Sequence, residues 1–138
     1  MTEFLVKNLQ GSHFYMKTPS GHDVHIDAGV DNNGYDSAPR PMEFLIAGLA
    51  GCTGMDVVSI LKKMRVDFEE FNLRVLTERN EDHPKKYNKI HVIYEFKGDN
   101  LPIDKLERAA KLSQEKYCGA IASFRGSVDI TYEVKIVD

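Results

Sequence analysis

Pro39-Arg40-Pro41-Met42-Glu43-Phe44-Leu45-Ile46-Ala47-Gly48-Leu49-Ala50-Gly51-Cys52-Thr53-Gly54-Met55-Asp56 is the stretch on which the fold turns. Pro41 suits the first position of a helix, where its missing N–H is no loss. The spacing predicts a helix from Met42 to about Met64, roughly 23 residues and 34 Å long. Between Phe44 and Leu61 the only ionisable side chain besides the thiol is Asp56. Apolar or small residues occupy every face of the first half, the pattern of a helix buried all round. One small domain has too little sheet to surround such a helix, so a second copy of the chain is expected to cover it. Gly48, Gly51 and Gly54 each cost about 1 kcal/mol against alanine in a helix interior. Either another helix or a ligand approaches closely beside Cys52, or the glycines only fit local packing.

Upstream, Phe4 and Val6, then Val24 and Ile26, alternate with polar neighbours as short strands do. Gly11-Ser12 and Pro19-Ser20-Gly21 mark turns, and Gly29 to Ser37 reads as a loop. Downstream, Phe71, Leu73, Val75 and Thr77 share one face of a strand, and Ile90, Val92, Tyr94 and Phe96 share one face of its return. A second helix is expected from about Pro102 to Tyr117, with Ile103, Leu106, Ala110 and Ser113 on one side. A short helix after Cys118 precedes a last strand, with Val128, Ile130, Tyr132, Val134 and Ile136 facing in. The order predicts an α+β fold with mainly antiparallel pairing.

The 138 residues fit a single domain spanning 1–138 and carry a net charge of −3. Neither nucleic acid nor an anionic membrane is favoured as a partner. Residues 1–10 lack the basic and apolar regions of a signal peptide. Phe44–Met55 is too short to span a bilayer. A cytoplasmic protein is expected, where two cysteines are either inert or redox-active. Two cysteines alone cannot make a four-ligand zinc site, and no metal is expected.

Cys52, among Leu49, Ala50, Gly51 and Met55, has two readings: a small core hydrophobe or a reactive thiol. Cys118 follows a helix and precedes Gly119. A thiol opening a helix has a lowered pKa; otherwise it packs at a junction. Together they fit reversible peroxide chemistry, in which one thiolate becomes a sulfenic acid and the other condenses with it. Arg40 is the candidate cation for the thiolate, or a solvated charge at the helix start. Glu43 either orients that arginine or sits where the helix dipole favours an acid. Nine residues separate Glu43 from Cys52, about 13 Å and half a turn, so the two cannot meet on one helix. Asp56 lies on the face of Cys52 but is read as hydrogen-bonded rather than catalytic. His22 and His25 point to opposite faces of a strand, and His13, His83 and His91 read as isolated.

The segment Ser37–Thr53 resembles the signature of the OsmC (osmotically inducible protein C) family, in which a proline-led helix start runs through small residues into a cysteine. Ser113-Gln114-Glu115-Lys116-Tyr117-Cys118 resembles the family's second cysteine motif. The resemblance covers essentially the whole chain, closest to a less characterised branch. It implies mainly antiparallel sheets wrapped around long central helices in an intertwined homodimer with two active sites. It also implies a thiol-dependent peroxidase reducing organic hydroperoxides in oxidative-stress defence, with Cys52 attacking and Cys118 resolving. No cofactor is implied; an external dithiol reductant and a small hydrophobic peroxide are the implied partners. The family's N-terminal arginine has no counterpart, since no arginine precedes Arg40. Its glutamate position is Met42, one residue before Glu43. The alternative is a non-enzymatic redox-sensing or hydrophobic-ligand-binding dimer on the same fold.

Overall fold

A computed structural model describes residues 1–138, which form two compact units, Met1–Ala47 and Gly48–Asp138. The first unit holds three short antiparallel strands in the order β1-β2-β3: Lys7–Gln10, His13–Lys17 and Asp23–Ile26. The expected turns fall between them, with Gly11 and Gly21 at φ +55° and +91°. Val24 and Ile26 are half-buried, as their alternation predicts. Phe4 and Val6 are not in a strand: β1 starts at Lys7, and both side chains are exposed. Alternation at a chain end therefore overstated the strand, because no neighbour pairs with it.

The loop after β3 is organised by a buried carboxylate. Asp27 accepts from the Ser37 hydroxyl at 2.6 Å and from the backbone N–H groups of Ala28, Tyr35 and Ser37. A side chain on Gly34 would strike the Ala28 carbonyl oxygen at 2.1 Å, so the loop closes only around glycine. The Ser37 hydroxyl, joined by three backbone donors, holds the Asp27 carboxyl far below the usual carboxylate range, against the opposing effect of burial.

The long helix α1 runs Pro41–Lys63, starting one residue earlier than expected with Pro41 as its first residue. It ends in a Schellman closure: Val66 N–H bonds the Leu61 carbonyl at 3.0 Å and Arg65 N–H bonds that of Lys62 at 3.1 Å, with Arg65 left-handed at φ 60°. By length and composition alone this helix is apolar enough to cross a membrane, a test that the core helix of a folded domain also passes. In the second unit, however, Leu49, Thr53, Val57 and Leu61 form a fully buried stripe at i, i+4 spacing. Each aliphatic member contributes about 1.5–3 kcal/mol by burial. The opposite side is bare: Met55 is 76% exposed and Val58 is exposed too. Burial all round is therefore not reached within one chain.

The second unit's sheet has the order β4-β5-β6: Glu70–Arg79, Tyr87–Lys97 and Asp129–Ile136. The β4–β5 hairpin has the expected faces in register, pairing Phe71 with Phe96, Leu73 with Tyr94, Val75 with Val92 and Thr77 with Ile90. Phe71 and Phe96 stack at 4.4 Å. Ile90, Val92, Tyr94 and Phe96 of the central strand are fully buried. β6 returns parallel to β5, through the crossover of helices that parallel pairing requires. That crossover comprises α2 (Ile103–Leu112), a π-helical turn (Ser113–Tyr117) and α3 (Gly119–Phe124). Leu106, Ala109, Ala110 and Ser113 are buried, but Ile103 is exposed, a correction to the expected inner face. The sequence pattern through Ser113–Tyr117 is helical throughout and gives no sign of the widened turn. Three of the four strand pairings are antiparallel, within an α+β fold.

Candidate active site

The π turn sets the site. Cys118 N–H bonds the Ser113 carbonyl at 2.9 Å, five residues back. Such turns are frequent at functional sites. Here it directs Ser113, Gln114 and Cys118 inward while Glu115, Lys116 and Tyr117 stay outside. Cys118 then precedes α3, and its sulfur accepts from Ile121 N–H at 3.4 Å.

Across from it, α1 presents Cys52, Thr53 and Asp56. The sulfurs of Cys52 and Cys118 and a carboxylate oxygen of Asp56 all lie within 4.8 Å of one another. Both thiols are free; Cys52 is half-buried and Cys118 is buried. Of the two readings of Cys118, the buried one fits: burial pushes its thiol up to about 11, outweighing the backbone donors of α3, and the adjoining Cys52 adds to the rise. A six-residue helix offers too little compensation for a cysteine that is 4% exposed. Two sulfurs and a carboxylate are also a donor set for a metal ion, one ligand short of a closed tetrahedral site.

Behind the thiols runs a chain of hydrogen bonds that pattern reading did not find. Gln114 Nε2 donates to Tyr94 Oη at 2.8 Å, and Tyr94 Oη meets Thr53 Oγ1 at 2.6 Å. Thr53 Oγ1 meets Ser113 Oγ at 2.7 Å, and Ser113 Oγ donates to Asp56 Oδ2 at 2.9 Å. Every buried side-chain polar atom in the protein has a partner. Burial is the main cause that raises the Tyr94 hydroxyl above its ordinary pKa, so it stays protonated. The only sequence clue was polar residues on otherwise apolar faces, Thr53 after Cys52 and Ser113 on the inner side of the helix expected from Pro102 to Tyr117.

Arg40 and Glu43 belong to the first unit and have partners there. Arg40 Nη2 pairs with Asp36 at 2.7 Å, and Nη1 bonds the Ala38 carbonyl at 3.0 Å. Glu43 Oε1 accepts from the Arg40 backbone N–H at 2.9 Å, the returning half of a capping box. Among the glycines, Gly54 is explained by packing: a side chain there would meet Leu73 Cδ1 at 2.8 Å. Gly48 and Gly51 face open space. Of the apolar residues near Cys52, Leu49 is sealed in the core and Met55 stands on the surface. His13, read as isolated, is not: its Nε2 lies 2.9 Å from His25 Nδ1 across β2 and β3. His91 bonds Thr131 at 2.7 Å.

Comparison with known proteins shows the family and the fold. Protein YhfA of Escherichia coli (strain K12) is 34% identical over 132 residues, covering 96% of each chain. The structure of a hypothetical protein from Aquifex aeolicus VF5 superposes with a TM-score of 0.82 at 31% identity, covering all of this chain and 98% of that one. An organic hydroperoxide resistance protein OsmC from Legionella pneumophila shares the fold, with a TM-score of 0.67 at 17% identity over 99% and 98% of the two chains. Residues 34–133 match the family of OsmC-like proteins, a span that holds both cysteines and the whole hydroxyl chain, and the protein belongs to that family.

Proposed function

We propose that the protein is a thiol peroxidase that reduces organic hydroperoxides. The carrying observation is the pairing of a half-buried Cys52 with a buried Cys118, their sulfurs within 4.8 Å. The accessible thiol suits attack on a peroxide, and the sequestered one suits resolution. Cys52 thiolate takes the terminal peroxide oxygen, giving a sulfenic acid and an alkoxide that leaves as the alcohol. Cys118 displaces the hydroxyl as water and forms a disulfide, which an external dithiol reopens in a reducing, cytoplasmic setting. The fold shared with a hydroperoxide resistance protein supports this reading.

The bare apolar side of α1, with Met55 and Val58 exposed, supports a homodimer in which a second copy covers it. Turnover of cumene hydroperoxide with dithiothreitol tests the proposal. Consumption that Cys52→Ser abolishes is expected; equal rates for both proteins would contradict it.

A further inference from the structure

The chain of hydroxyls ending at Asp56 has one permitted direction. Each hydroxyl has a single proton, and an ionised carboxylate only accepts. Ser113 donates to Asp56, so Thr53 must donate to Ser113 and Tyr94 to Thr53, while Tyr94 accepts from Gln114. Four donors thus point one way and polarise one another toward a single carboxylate. The Asp56 carboxylate uses one oxygen to accept from Ser113 and lies within 4.8 Å of both sulfurs. A small side-chain rotation or one bridging water closes such a gap.

We propose that Asp56 is the proton carrier of disulfide closure, taking the thiol proton of Cys118 and delivering it to the hydroxyl that leaves Cys52. This rests on the peroxidase reading of the same site. In the step, Cys52–SOH and Cys118–SH become Cys52–S–S–Cys118 and water. The S–S bond forms and the S–O bond breaks. The Cys118 sulfur is oxidised, the Cys52 sulfur is reduced, and the proton that leaves Cys118 ends on the water. No further oxidant is needed.

The need for a carrier follows from the site. Cys118 is buried, so the proton its thiol gives up as it attacks passes to a neighbouring group rather than straight to bulk water. Tyr94, which interacts electrostatically with Cys118, already donates to Thr53, and burial keeps its hydroxyl and that of Tyr132 protonated. Asp56 is the group in the cluster with a vacant acceptor oxygen.

The experiment follows both steps in the full-length protein after one equivalent of cumene hydroperoxide, trapping sulfenic acid with dimedone and disulfide by acid quench. In Asp56→Asn, sulfenic acid should accumulate, because closure slows by about 10²-fold. That slow closure should rise about tenfold per pH unit as hydroxide replaces the carboxylate. Asp56→Glu, which keeps a carboxylate in reach, should recover most of the rate. Closure at the wild-type rate in Asp56→Asn overturns the proposal. So does slow closure that neither pH nor Asp56→Glu restores, since that marks a structural role. Wild-type protein that keeps both thiols sinks the peroxidase reading itself.

Discussion

The sulfur of Cys52 and the sulfur of Cys118 lie within 4.8 Å of each other, one half-buried on the long helix and the other sealed at the end of the π turn. A disulfide needs about 2.05 Å, so closure requires only a local approach. Without its partner, the Cys52 sulfenic acid has no resolving thiol. Cys118→Ser should therefore react once and then overoxidise to sulfinic acid under excess peroxide. Intact-mass spectrometry should show a gain of two oxygens, where the wild type instead loses two hydrogens.

Thr53 is the hinge of the buried hydroxyl chain, bonded to both Tyr94 and Ser113. Thr53→Val keeps the volume but strands the Tyr94 proton and leaves Ser113 without its donor. A loss of about 1–3 kcal/mol is expected. Tyr94→Phe keeps the ring and removes one hydroxyl, for about 1 kcal/mol. Urea unfolding should show both as lower midpoints at unchanged slope.

Asp27 makes the first unit acid-sensitive. Its folded-state pKa is depressed, so its stabilisation is fully present above the unfolded value of about 3.9 and is lost as pH falls through the folded one. Thermal unfolding should show wild-type stability falling below about pH 4. Asp27→Asn should unfold at lower temperature near neutrality and show a flatter acid limb.

The exposed apolar side of α1 sets the fourth expectation. Met55→Asp places a charge on a residue that is 76% exposed in one chain. It should convert a dimer to monomer in sedimentation velocity while leaving monomer stability within about 0.5 kcal/mol. An unchanged sedimentation coefficient would place the interface elsewhere.

What the residue pattern revealed, and what it hid, follows from range. The β4–β5 faces and the start of α1 were legible because alternation and a helix-opening proline are local signals. The two cysteines stood out as a pair, but their proximity depends on the crossover between β5 and β6, which no short window contains. The π turn escaped because its five-residue hydrogen bond leaves the helical pattern intact. The two readings of Cys118 stayed open for a physical reason: position at a helix start was legible, but burial was not, and burial dominates. Asp56 was read as hydrogen-bonded, and it is, but the hydroxyl chain joins residues 20 to 60 positions apart, so its partners were not legible.

The most direct test is a count of free thiols, with peptide mapping, after the reduced wild-type protein meets one equivalent of an alkyl hydroperoxide. The account predicts that both thiols vanish together and that Cys52 and Cys118 are recovered in one disulfide-linked peptide pair. Two intact thiols, or Cys52 oxidised while Cys118 remains free, would contradict it.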